Sequence, residues 1–109
     1  ECASIMTIIF TDSLTAEKVA TMLGTVTVSK SGWHVYSNME HINNHLEKLS
    51  YPNRLGALPV TDSLLERSVN ISIGVIDGGL GSGFGININS DEDEIISVAA
   101  EINQALASF

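Results

Sequence analysis

The chain has 109 residues, enough for one hydrophobic core and no second domain. Its formal net charge is −8, and its five fixed cations, Lys18, Lys30, Lys48, Arg54 and Arg67, form no basic stripe, which argues against nucleic acid and anionic membranes as partners. No stretch approaches the ~18 consecutive apolar residues of a membrane span, and the single cysteine, Cys2, has no internal disulfide partner, so a reducing cytoplasm is the expected compartment.

Ala3 to Phe10 is short, apolar and β-branched, and predicts a largely buried strand. Thr11-Asp12-Ser13 offers capping oxygens for a helix from about Leu14 to Leu23, which Gly24 ends. Thr25 to Ser29 alternates as a half-buried strand does, and Lys30-Ser31-Gly32 turns the chain into Trp33-His34-Val35-Tyr36. An amphipathic helix is predicted from Met39 to Leu49, with Met39, Ile42, Leu46 and Leu49 at helical spacing. Pro52 and Gly56 keep Tyr51 to Pro59 irregular, and Ser63 with Glu66 forms a capping-box pattern over Leu64-Leu65.

Val69, Ile71, Ile73 and Val75 alternate with Asn70, Ser72 and Gly74, a strong strand signal. A glycine-rich loop from Asp77 to Gly85 leads into a further strand, Phe84 to Ile88. Ser90 is the expected cap of the last helix, whose apolar face is Ile95, Val98, Ala99, Ile102, Ala105 and Leu106. The sum is an α+β fold: a two-layer sandwich with a small, mostly antiparallel sheet and helices packed on one face.

Most of the polar clusters have a structural explanation. The 77–85 loop misses the dinucleotide fingerprint, lacks the Lys-Ser/Thr of a nucleotide loop, and lies between strands. It is read as a β-connection accepting positive φ, with a mobile substrate-facing loop as the alternative. His41 and His45 lie one helical turn apart but lack a third ligand at metal spacing, so no metal is assigned. Asp91 to Glu94 sit where carboxylates favour the positive end of a helix. His34 with Asp77 is a further catalytic pairing to weigh.

Trp33, His34, Tyr36, Ser37, Asn38 and His41 are the substrate-cleft candidates. Amphipathic rings and hydrogen-bonding tips clustered after a turn are a common way to line a polar small-molecule cleft. The same residues also suit a strand end whose rings pack on the core.

The segment Gly32-Trp33-His34-Val35-Tyr36-Ser37-Asn38-Met39-Glu40-His41 and the run Leu58-Pro59-Val60-Thr61-Asp62-Ser63-Leu64-Leu65-Glu66-Arg67-Ser68-Val69, in this order, resemble the carboxy-terminal small domain of the DegT/StrS-type sugar aminotransferases, fold type I pyridoxal-phosphate enzymes. The resemblance covers nearly the whole chain. It implies that residues 1–109 are one domain cut from a longer polypeptide, and that the Schiff-base lysine and the cofactor-holding groups lie upstream in a large domain. It also implies a cleft position for the Trp33–Asn38 segment, a keto-sugar or similar polyhydroxy substrate, and a homodimer in full-length form. Closing the cleft would be the work of this domain; the fragment by itself would neither bind pyridoxal phosphate nor transaminate. The excursion from Val75 to Gly85 departs from the family pattern. The rival reading is a free-standing α+β module that binds a small molecule or dimerises without catalysis.

Overall fold

A computed structural model describes residues 5–31, 35–51, 56–72, 82–87 and 89–108. The order is β1 (Ile5–Ile9), α1 (Ser13–Met22), a 3-10 turn (Val28–Lys30), a second 3-10 turn (Tyr36–Asn38), α2 (Glu40–Lys48), α3 (Pro59–Glu66), β2 (Ser68–Ser72), β3 (Ser82–Gly83) and α4 (Glu92–Ala107). This is the expected α+β fold. The strands lie in the order β1-β2-β3, with β2 central. β1 runs antiparallel to β2, Thr7 opposite Asn70, and the two residues of β3 run parallel to it.

Of β2 only Asn70 is not buried, and its apolar residues mark the core face. Val69 and Ile71 are fully buried. Ile71 packs with Val19, Leu23 and Ala105, flanked by Ile8, Phe10, Phe84, Ile102 and Leu106; Val69 joins Ala16 and Ala20. Thus α1 and α4 cover one face of the sheet. The opposite face carries Ile5, Thr7 and Ile9 of β1, all exposed, and a hydrogen bond from Thr7 Oγ1 to Asn70 Oδ1 at 2.7 Å.

Five sequence expectations need correction. Among the described residues β1 has a strand on one side only, and of its five residues only Ile8 is not exposed. Thr25 to Ser29 does not form a strand: Thr27 makes a single bridge to Val69, and Val28–Lys30 then closes a 3-10 turn. The free edge of β2 is shared with β3, which leaves room for one residue of that segment. Ser63 caps nothing, since α3 already begins at Pro59, where the fixed φ of proline suits the first helical position.

Phe84 to Asn87 is not a regular strand. The pairing falls two residues earlier, at Ser82–Gly83, and Gly85, at φ 73°, turns the chain away. The cap of α4 is Asp91 rather than Ser90. Asp91 Oδ1 accepts from the Glu94 N–H at 2.9 Å while the Glu94 carboxylate accepts from the Asp91 N–H at 3.3 Å, a full capping box. Ser90 instead closes a turn with Asn87.

α1 ends where expected, at Gly24, whose φ of 67° only glycine adopts without strain. α2 packs chiefly on the 3-10 turn before it, and the molecule is elongated, 54 × 30 × 23 Å. Its radius of gyration of 16.1 Å exceeds the roughly 13 Å of a compact domain this long. Among the described residues, no helix is long and apolar enough to cross a membrane.

Candidate functional site

A concavity walled by polar residues beside the expected cleft segment is built from four elements. Asp12 fixes the start of α1: its Oδ1 accepts from the Thr15 N–H at 2.8 Å and its Oδ2 from the Thr15 hydroxyl at 2.9 Å. These bonds, the backbone one foremost, hold the Asp12 carboxyl below its ordinary value. With the helix so anchored, Ser13 and Glu17, four residues apart, share one side of α1. Glu17 forms an ion pair with Lys30, which the first 3-10 turn carries across to it.

Thr27 and Ser29 hydroxyls lie 3.1 Å apart behind that pair, and Asn38 Nδ2 donates to the Ser29 carbonyl at 3.0 Å, tying the two 3-10 turns together. Glu66, the last residue of α3, completes the rim. The resulting groove, of about 490 Å³, is lined by Ser13, Glu17, Thr27, Ser29, Lys30, Asn38 and Glu66. On the other side of the Glu17–Lys30 bridge a smaller depression of about 110 Å³ includes Thr25 and Thr27. The Thr25 hydroxyl oxygen is buried there with no hydrogen-bond partner among the described residues.

The site candidates divide. Trp33 and His34 lie outside the described residues, as does Asp77. Asn38 lines the main groove, and Ser37 joins it in a small neighbouring cleft of about 30 Å³ with Val35, Asp62 and Leu65. The Ser37 carbonyl also accepts from Asn43 Nδ2 at 2.7 Å, which pins the second turn to α2. Tyr36 is 62% exposed and lines neither cleft. His41 stands exposed in the first turn of α2 and also lines neither.

The reason is geometric. An extended segment would align alternate side chains, but a 3-10 turn rotates each residue by about a third of a turn and spreads Tyr36, Ser37 and Asn38 apart. Sequence reading missed Glu17, Lys30 and Glu66. Only the four-residue spacing of Ser13 and Glu17 carried any signal.

The groove offers hydroxyls, an amide, two carboxylates and an ammonium, the equipment for holding a polar small molecule by hydrogen bonds. Among the described residues its walls carry no imidazole or thiol. No group of three His, Cys, Asp or Glu among the described residues is placed to hold a metal.

Pyridoxal phosphate, the cofactor that the resemblance implies, does not fit the lysines of this chain. A Schiff-base lysine is desolvated so that its amine can be neutral. Here Lys18 and Lys48 are exposed on helices, and Lys30 is exposed and engaged by Glu17. No step through the cofactor is therefore assigned to these residues. No family model matches the chain, and no curated protein or solved structure matches it either.

Proposed function

We propose that this chain is the small, cleft-closing domain of a pyridoxal-phosphate-dependent aminotransferase acting on a keto-sugar or similar polyhydroxy substrate, and that it docks on a large cofactor-bearing domain of the same polypeptide in the cytoplasm. One observation carries the reading beyond the motif resemblance. The Leu58-Pro59-Val60-Thr61 run on which the resemblance rests folds as the start of α3 with its apolar side chains outward: Leu58 is 55% and Val60 74% exposed. A stiff, proline-led helix start presenting aliphatic groups to water suits a docking contact. In this reading the groove beside Asn38 faces the shared cleft and helps to exclude water when the domains close.

The test is to extend the reading frame upstream of Glu1 and to compare the chain with the longer product. Several hundred further residues with a cofactor-binding lysine, a pyridoxal absorption band in the longer product and none in the chain alone are expected. A start codon close to Glu1, or amino transfer by the chain alone, contradicts the proposal.

A free-standing binding module is the second reading. It is favoured by the groove itself, which gathers hydroxyls, an amide, two carboxylates and an ammonium in one concavity.

A further inference from the structure

The edge of the sheet carries an inference that holds under either reading. Among the described residues β1 has a strand on one side only. The Phe10 N–H donates to the Arg67 carbonyl at 2.8 Å, continuing the ladder in which Ile8 faces Val69 and Met6 faces Ile71. Antiparallel pairs alternate between hydrogen-bonded and non-hydrogen-bonded. Phe10, Ile8 and Met6 therefore turn their backbone groups toward β2, while Ile5, Thr7 and Ile9 turn theirs to the outer edge. The side-chain hydrogen bond between Thr7 and Asn70 suits the closer side-chain approach of a non-hydrogen-bonded pair.

Natural edge strands are usually blunted by a lysine, a proline or a bulge. Ile5-Met6-Thr7-Ile8-Ile9 has none of these, although the chain as a whole is strongly charged. Its pattern is symmetric about Thr7. Laid antiparallel against itself with Thr7 opposite Thr7, the strand sets Ile5 against Ile9 and Met6 against Ile8. Every outward-facing N–H and C=O then meets its counterpart at hydrogen-bonding spacing. A slip of one residue in register loses that match, because outward groups would meet inward ones.

We infer that a second copy of this chain adds to β1 in this register, with the two-fold axis passing between the two Thr7 residues and the sheet running continuously through both copies. The contact is isologous and self-limiting. Because the axis stands perpendicular to the sheet, the helices of both copies lie on one side and the Ile5/Thr7/Ile9 face of each stays open. The start of α3 is not consumed by the pairing.

The contact of one five-residue strand falls well under the roughly 800 Å² per partner of a standard interface, so the dimer is weak. Two copies of net charge −8 repel one another, so added salt tightens the contact.

Sedimentation velocity over roughly 10 µM to 1 mM protein tests this. Wild type is expected to pass from monomer to dimer, Thr7→Lys and Thr7→Glu each to stay monomeric with unchanged circular dichroism, and an equimolar mixture of the two to regain dimer. Thr7→Val keeps the backbone pairing and dimerises as wild type does. The inference is overturned by a wild-type chain that stays monomeric at every concentration, by a charged variant that dimerises alone, by a mixture that does not associate, or by growth beyond dimer.

Discussion

Replacing Ile71 by alanine measures how completely the fold rests on one face of its central strand. Ile71 is fully buried between α1 and α4. The substitution deletes three carbons, a transfer loss of about 2.4 kcal/mol at ~0.8 kcal/mol per carbon. If about 50 Å³ stays unfilled, the cavity adds about 1.2 kcal/mol, for roughly 3.5 kcal/mol in all. A domain of this size holds only about 5–15 kcal/mol of stability, so the loss is a large fraction of the whole. Ile9→Ala removes the same three carbons from the open face, where the side chain is 57% exposed. About two fifths of the transfer term applies and no cavity forms, which gives about 1 kcal/mol. Urea unfolding at low protein concentration reads both variants, with the midpoint falling and the slope unchanged. Equal losses for the two would refute the assignment of the core to the α1/α4 side.

Three further outcomes follow from local geometry. Asp12 has its carboxyl pKa lowered by the Thr15 bonds. The stability it adds is therefore present above its ordinary value of 3.8 and fades as the pH falls through the lower folded value. Asp12→Asn should remove that part of the acid transition in a pH series of thermal melts, and an unchanged series would count against the cap. Arg67 ties two elements together, donating from Nη1 to the Phe10 carbonyl at 3.0 Å and from Nε to the Ser63 carbonyl at 3.2 Å. Arg67→Ala should destabilise by about 2 kcal/mol in urea, and a neutral result would show that the clamp contributes nothing. The Glu17–Lys30 pair is largely exposed, so Lys30→Met should change stability by no more than about 0.5 kcal/mol. A larger loss would mean that the groove wall depends on the ion pair.

Helices α1, α2 and α4 were legible from their apolar periodicity, whereas the caps expected at Ser63 and Ser90 were misplaced. Asp12 and Gly24 bracket α1 and a continuous apolar stripe marks α4. The Val69/Ile71 alternation identified β2 and its apolar face, although Ser68 and Ser72 on the other face are buried too. What could not be read was competition. Thr27 has strand chemistry, but the β2 edge it would join is shared with β3, and the Ser31 hydroxyl bonds the Val28 carbonyl to hold a turn instead. Asn87 similarly spends its side chain on Gly85 and Asn89, which bends the segment after β3 out of the sheet. At the candidate site, Asn38 was legible as a polar group after a turn. Its groove partners Glu17, Lys30 and Glu66 were not, since they meet only through the packing of α1, α3 and the 3-10 turns.

Amide hydrogen exchange at the start of α3 tests the docking proposal most directly. First-turn amides of a helix have no intrahelical acceptor and exchange quickly unless something covers them. Val60 and Thr61 should exchange rapidly in the chain alone and gain protection of tenfold or more (about 1.4 kcal/mol) when the chain is joined to its natural upstream sequence. Equal exchange at these two positions with and without that sequence would contradict a docked small domain.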